Sequence, residues 1–240
     1  MKTLIQSGLA QLGLSEQIPE AAPAQLERYG RFLLEKNQVM NLTAITDPHD
    51  VATLHMLDCA ALLCCADFRG GKTLIDVGTG AGFPGLPLKV LLPQLEVTLL
   101  DSLNKRVDWL AETCEVLGLD GIRAVHRRAE EAGQDPAFRE QYDFATARAV
   151  AGLQVLCELC LPFVKQGGCF LAMKGTDCGA ELDRARPAIQ MLGGTVESCR
   201  DYAIPHTEVF HRVICIKKVS PTPSQYPRRW AKIQKSPICQ

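Results

Sequence analysis

The residues in this chain best suited to chemistry are a run of glycines bracketed by carboxylates. Asp76-Val-Gly78-Thr-Gly80-Ala-Gly82-Phe-Pro-Gly85 continues from a short apolar, β-branched run, Thr73 to Val77, which reads as a buried strand, a tight loop and then a helix. Glycine has no Cβ and adopts φ > 0 freely, so main-chain N–H groups of such a loop face a nucleoside at the carboxyl end of the strand. Asp101 stands where a second strand would end, and a carboxylate there accepts both hydroxyls of a ribose. Arg127-Arg-Ala-Glu-Glu131 would end a third strand, setting Ala129 and Glu130 against a base. Thr146-Ala-Arg148-Ala149 would end a fourth, bringing a cation to the point where reacting groups converge. Polar groups at successive strand ends point to transfer chemistry on a nucleoside-bearing ligand.

Two ligands compete for the loop. Gly80-Ala-Gly82-Phe-Pro-Gly85 fits G-x-G-x-x-G, and Asp101 follows at about the dinucleotide spacing. Against a pyrophosphate, Pro84 and Pro87 remove N–H groups from the first helical turns. The strand ends at Val77, so an acidic residue leads three alternating glycines, a pattern that resembles motif I of the class I S-adenosylmethionine methyltransferases, with its acidic residue near the methionine end. The strand, loop and helix context favours the methyltransferase reading, with an NAD-dependent oxidoreductase as the alternative.

Strand and helix patterns alternate from Thr73 onward, as a mainly parallel sheet with right-handed crossovers requires. Strands are predicted at Thr73 to Val77, Val97 to Leu100, Arg123 to His126, Phe144 to Ala147 and Cys169 to Met173. Helices fall near Gly85 to Leu92, Lys105 to Leu117 and Leu153 to Val164. Two later strands, Thr195 to Ala203 and Arg212 to Val219, close a seven-stranded sheet with an antiparallel edge. The expected fold is α/β, Rossmann-like, with helices on both faces and an N-terminal helical extension. In that extension, Leu4, Ile5, Leu9 and Leu12 form one amphipathic helix, and Leu26, Tyr29, Phe32, Leu33 and Leu34 a second. Asp47-Pro-His-Asp50 caps a third, Val51 to Cys65, on which His55 and Asp58 share a face and read as a surface or interface pair. The division is 1–70 extension, 71–220 methyltransferase domain and 221–240 basic tail.

With 240 residues, 47% hydrophobic and 22% charged, the chain supports one substantial globular core. No run reaches the roughly 18 to 20 apolar residues of a membrane helix, and the first residues lack a signal-peptide core. A cytoplasmic monomer that does not engage membranes is expected. The 11 cysteines scatter along apolar segments as buried thiols. Cys157-Glu-Leu-Cys160 sits in a helical stretch without a second pair, so no metal is assigned. Net charge is −1, yet after Glu208 only cations follow: Arg212, Lys217, Lys218, Arg228, Arg229, Lys232 and Lys235, interleaved with Tyr226 and Trp230. That is the footprint of a surface that neutralises phosphates, or of a solvated tail.

The fourth strand end narrows the acceptor. Enzymes that methylate exocyclic base amines usually carry Asn/Asp-Pro-Pro-aromatic there, and cytosine-C5 enzymes use a cysteine; Ala145-Thr-Ala-Arg-Ala149 offers neither. An acceptor that is already nucleophilic suits the site, such as guanine N7 with its free lone pair.

Asn41-Leu-Thr, His55-Met-Leu-Asp58, the 76–85 loop, Leu100-Asp-Ser, Lys105-Arg, Arg128-Ala-Glu-Glu131, Arg148-Ala, Met173-Lys-Gly175 and Tyr226-Pro-Arg together resemble the bacterial small-subunit rRNA methyltransferase G family, also called glucose-inhibited division protein B. The resemblance implies S-adenosylmethionine-dependent N7 methylation of a guanine in the decoding-region loop of 16S rRNA, naked or in the 30S subunit. It places the cofactor against Gly78, Phe83, Asp101, Ser102, Ala129, Glu130 and Arg148. It gives Asn41, Arg128 and Arg148 the catalytic or guanine-holding role, and leaves Lys174 and the tail to RNA. Leu54, where the family usually has a basic residue, and Cys59, where it has serine, depart from the pattern and bear on an RNA contact at that helix. A non-catalytic assembly factor with the same fold is the remaining alternative.

Overall fold

Alternation along one short strand decides which layer each helix joins. In the computed structural model, which describes residues 1–148 and 150–238, β1 (Thr73–Val77) sends Leu74 into one apolar cluster and Ile75 and Val77 into another. Successive strand side chains point to opposite faces, so both faces of this strand must be covered. Ala149, the end of the 145–149 run, and Cys239 and Gln240, the end of the tail, lie outside the described residues.

The remaining strands are β2 (Glu96–Asp101), β3 (Ile122–His126), β4 (Tyr142–Arg148), β5 (Val164–Gly175), β6 (Gly194–Ala203) and β7 (Phe210–Lys218). They form one seven-stranded sheet in the order β3-β2-β1-β4-β5-β7-β6. The first five pair in parallel, and β7 runs antiparallel between β5 and β6. Strand order reverses beside β1, between β2 and β4, the switch point where doubly wound sheets bind ligands.

One cluster joins α1 (Lys2–Gln11), α2 (Ala22–Met40), α5 (Gly85–Leu91) and α6 (Asn104–Leu117) to the sheet through Ile5, Leu26, Tyr29, Leu86 and Trp109. α7 (Ala129–Ala132), α8 (Leu153–Cys160), α9 (Gly179–Met191) and α10 (Trp230–Lys235) cover the other face through Ala132, Leu156, Leu182 and Ile233. Between α2 and β1, α3 (Pro48–Asp50) and α4 (Asp58–Ala60) flank a wide helical segment, Val51–Leu57, and a tight turn, Ala61–Cys64, follows. Asp47 caps its start, accepting from His49 N–H at 2.8 Å. Such wide i→i+5 turns often occur at functional sites.

Two boundaries shift for physical reasons. The helix predicted to reach Val164 ends at Cys160: a tight turn over Leu161–Phe163 contains Pro162, and Val164 already opens β5. The basic tail is folded rather than merely extended. Ile233 and Ile238 are buried, and α10 packs on the sheet's second face. Among the described residues, no helix is long and apolar enough to cross a membrane.

Candidate active site

The glycine loop is held by the end of β2 and by α2. Gly78 and Thr79 N–H donate to the Leu100 carbonyl at 2.9 and 3.1 Å, and Gly80 N–H donates to Asp101 Oδ2 at 3.0 Å. Tyr29 on α2 donates its hydroxyl to the Ala81 carbonyl, fixing the loop to the N-terminal helices. Gly78 has φ +69°, and a Cβ there would meet Val150 Cγ2 at 2.9 Å, so a side chain fails on both counts.

Asp76 sits beneath the loop. Its Oδ2 accepts from Thr79 Oγ1 at 2.6 Å and Gly85 N–H at 2.9 Å. The sequence reading put this carboxylate near the methionine end of a ligand; the structure buries it completely as the loop's internal brace. Burial drives its pKa up to about 6, against the hydrogen bonds that favour the charge. It also takes the first N–H of α5, so the helix start that would hold a pyrophosphate is already used.

Two clefts meet at Gly78, Asp101, Ser102 and Val150. The smaller, about 200 Å³, is further lined by Arg128, Ala129, Glu130 and Trp230. The larger, about 500 Å³, is lined by Thr43, His55, Phe83, Arg106 and Arg148. Asp101 spends one acceptor site on Leu103 N–H at 2.9 Å and one on Gly80. A carboxylate has about four, which leaves capacity for both hydroxyls of a ribose. The lining therefore fits a nucleoside lying from Ala129 and Glu130 across Asp101, its reactive end reaching toward Arg148.

Arg148, at the end of β4, is fixed by the segment before β1. It donates to the Leu54 carbonyl at 3.0 Å, Asp58 Oδ2 at 2.9 Å and His55 Nδ1 at 2.7 Å, and its guanidinium lies 5.0 Å from the Phe83 ring centre. Since Nδ1 of His55 accepts, its Nε2 carries the proton and donates to Thr43 Oγ1 at 2.8 Å. Burial and the positive charge of Arg148 push the His55 pKa down to about 3, so the ring is neutral. Asp58 is completely buried and also accepts from Tyr202 OH at 2.7 Å and His211 Nδ1 at 2.8 Å. Burial alone would raise its pKa, but the His211 hydrogen bond and the Arg148 charge outweigh it and hold the carboxyl below its usual range. The same bond raises the His211 pKa against its own partial burial.

The structure gathers most of the predicted site residues into the clefts and sends a few elsewhere. Gly78, Asp101, Ser102, Ala129 and Glu130 line the smaller cleft, and Phe83 and Arg148 the larger. Arg128 falls at the Ala129 end, apart from Arg148. Asn41 lines neither cleft: it is exposed and ends α2 in the left-handed conformation, φ 49°, which asparagine tolerates. It turns the chain so that Leu42 and Thr43 enter the site, their N–H groups bound to Asn37 Oδ1 at 2.6 and 2.9 Å. His55 and Asp58 are buried partners of Arg148, not a surface pair.

Lys174, expected to reach RNA, donates instead to the Ala151 carbonyl at 3.0 Å and Glu181 at 2.8 Å. Within the tail's charge run, Lys218 is buried on the Leu161 carbonyl and Thr222, with its pKa pulled down to about 8 by burial. Arg212 pairs with Asp201 and Arg228 with Glu158, leaving Arg229, Lys232 and Lys235 as exposed cations of the terminal segment. Thr43, Tyr202, His211 and Trp230 were not expected as cofactor or catalytic residues from sequence; Thr43 stood in the Asn41-Leu-Thr motif and Trp230 among the tail's cations, while Tyr202 and His211 gave no signal.

Comparison with known proteins gives this geometry its context. The family model for rRNA small subunit methyltransferase G matches residues 22–209. The chain is 46% identical to the ribosomal RNA small subunit methyltransferase G of Alkaliphilus metalliredigens, over 99% of this chain and 98% of that protein. It is 48% identical to the one from Acetivibrio thermocellus, over 88% and 86%. Among solved structures, TrmN from Thermus thermophilus superposes with a TM-score of 0.51 at 26% identity, covering 67% of this chain and 48% of that one, so this chain spans about half of TrmN. A predicted O-methyltransferase, Atu636 from Agrobacterium tumefaciens, gives 0.53 at 18% identity, covering 69% and 81%, a likeness of fold.

Proposed function

The chain belongs to the rRNA small subunit methyltransferase G family, and on that premise we propose that it transfers the methyl group of S-adenosylmethionine to N7 of one guanine in the decoding-region loop of 16S rRNA. The observation that carries the reading is the continuity of the two clefts at Gly78 and Asp101, one suited to a nucleoside and the other ending at Arg148. Gly78, Asp101, Ser102, Ala129 and Glu130 would hold the nucleoside part of the cofactor, with Phe83 and Arg148 toward its other end. When bound, the cofactor supplies an electrophilic methyl on a sulfonium.

Guanine N7 needs no base, because its lone pair is free. Alignment is therefore the main task of the protein. Arg148 has N–H groups beyond those bound to Leu54, Asp58 and His55, and these suit the guanine O6 beside N7. The reaction carries positive charge from donor to acceptor, which a bare arginine would oppose. The Asp58 carboxylate at 2.9 Å cancels that charge, and neutral His55 adds none.

Docking on the assembled 30S subunit, a monomeric state and a cytoplasmic location belong to the same proposal. So does the division of labour: 1–70 as an extension supporting the loop and Arg148, 71–220 as the methyltransferase domain and 221–240 as a basic segment. Asn41 would act through the turn it makes, and Arg128 at the nucleoside end.

Labelled S-adenosylmethionine, 16S rRNA and 30S subunits lacking the modification test this. Label is expected at a single guanine, identified by chain cleavage at N7-methylguanine. Arg148→Ala should lower transfer on the order of a hundredfold even at saturating cofactor, with Arg148→Lys as a better-folding second variant. An unlabelled RNA with intact cofactor binding would sink the acceptor assignment; wild-type rates in both variants would sink the role of Arg148.

A further inference from the structure

The family model stops at residue 209, yet the smaller cleft is not closed by residues before that point. Trp230, first residue of α10, lines it together with Val77, Gly78, Asp101, Ala129 and Glu130. Specific bonds hold the tail there. Arg139 donates to the carbonyls of Thr222 at 2.6 Å and Tyr226 at 2.7 Å, and Gln134 donates to the Pro227 carbonyl at 2.9 Å. Glu158, 1% exposed, receives Arg228 N–H at 2.8 Å and its guanidinium at 2.6 Å. Ile233, one turn beyond Trp230, is fully buried. The segment is anchored on both sides of the indole.

We infer that Trp230 is a cofactor-binding residue, and that the C-terminal segment serves as the wall of the adenine end of the cleft. The inference rests on the S-adenosylmethionine reading above and adds to it a residue that the glycine-loop signature does not contain. An indole offers a large flat apolar surface with little conformational freedom to lose. Ala129 and Glu130, in the same lining, supply a short apolar contact and an acceptor. A purine held there would be gripped by its flat face and read at its edge. The tail thereby changes character: its aromatic residue faces the cofactor, Arg228 is spent on Glu158, and only the outer cations remain for phosphate.

The test uses the full-length protein, with S-adenosylmethionine and S-adenosylhomocysteine as probes and calorimetry as the readout. Trp230→Ala is expected to raise Kd for both by roughly tenfold or more, the scale of a lost base–aromatic stack. Trp230→Phe should stay within about threefold of wild type, since it keeps an aromatic face. The loss in Trp230→Ala should appear in KM for the cofactor more than in turnover at saturation, because Trp230 lies in the cleft that Arg148 does not line. The chain has only two tryptophans, and the other, Trp109, is 1% exposed in the core. Tryptophan fluorescence should therefore respond to cofactor in the wild type and lose that response in Trp230→Phe while calorimetry still detects binding. Lys235→Ala, on the outer side of the same helix, should bind cofactor as wild type does. Wild-type affinity in Trp230→Ala, alongside weakened binding by Asp101→Asn, would overturn the inference and leave the functional reading standing. A wild-type protein that bound neither probe would overturn both.

Discussion

The glycine loop and the Arg148 cage are neighbours in space and opposites in construction. The loop's carboxylate braces are close in sequence, Asp76 holding Thr79 and Gly85 and Asp101 holding Gly80, although Tyr29 reaches Ala81 from 52 positions away. The cage is assembled from distant pieces, with Arg148 bound to residues 90 to 94 positions away and Asp58 bound to His211 across 153. The loop is mostly backbone, which water or ligand can replace in part. The cage is a buried charge set, where each member depends on the others. A ligand-binding element can thus be local and repeatable, whereas the residue that orients the reaction needs the finished tertiary structure.

Deleting one centre from each region should separate them most clearly. Asp58→Ala leaves Arg148, Tyr202 and His211 without their shared acceptor, and breaking a buried ion pair on one side costs about 3 to 5 kcal/mol. Thr79→Val removes one hydrogen bond from the loop and should cost about 1 kcal/mol. Urea midpoints read at unchanged slope measure both. Equal losses would mean that the loop and cage are not energetically distinct. Asp58→Ala should also lose methyl transfer well beyond its loss of stability, since Arg148 no longer has a fixed geometry.

The same contrast explains what was legible in the sequence. Thr73 to Val77 was delimited by β-branched residues and glycine, and β1 has those bounds. The seven strands and their antiparallel edge followed from alternation. α9 was missed, because Gly179 and Pro187 interrupt the helical pattern; its buried positions, Leu182, Ala185, Ala188 and Ile189, nevertheless keep helical spacing. At the site, Gly78, Asp101, Ala129 and Glu130 were legible because strand ends converge at a switch point. The partners of Arg148 were not, because nothing local ties His55 and Asp58 to a strand 90 or more residues later. Trp230 was read by its neighbours' charge, which hid its apolar contact with the sheet's second face.

Proton linkage sharpens the comparison, because the two regions titrate in opposite senses. His55 has a folded pKa near 3, below the roughly 6.5 of an unfolded histidine. Its stability contribution is full above about 6.5 and is lost as pH falls from there toward 3. Asp76 has a folded pKa near 6, above the roughly 3.9 of an unfolded aspartate. Its contribution is full below about 3.9 and is lost as pH rises from there through 6. Between about pH 4 and 6 the two largely offset each other, each with a limiting slope of about 1.4 kcal/mol per pH unit. Asp76→Asn should therefore steepen the loss of stability on acidification, and His55→Asn should make stability fall as pH rises across that window. Chemical denaturation at half-unit pH steps measures the slopes; parallel curves for the two variants would show that neither buried group controls the window.

The smallest effect is expected at the edge of the cage. Thr43 Oγ1 accepts the His55 Nε2 proton at 2.8 Å and the Ile45 N–H at 3.1 Å, so it selects the tautomer in which Nδ1 faces Arg148. Thr43→Val keeps the shape and removes the acceptor, at a cost of about 1 kcal/mol. Without it, the imidazole gains a competing tautomer with its proton on Nδ1, which would confront the Arg148 guanidinium instead of accepting from it. Methyl transfer should fall by less than about tenfold, the equivalent of 1.4 kcal/mol, and Kd for S-adenosylmethionine should hold, because Thr43 lines only the larger of the two clefts. A change in cofactor Kd with an unchanged rate would mean that the His55 tautomer serves the reactive end of the cofactor and not the alignment of the acceptor.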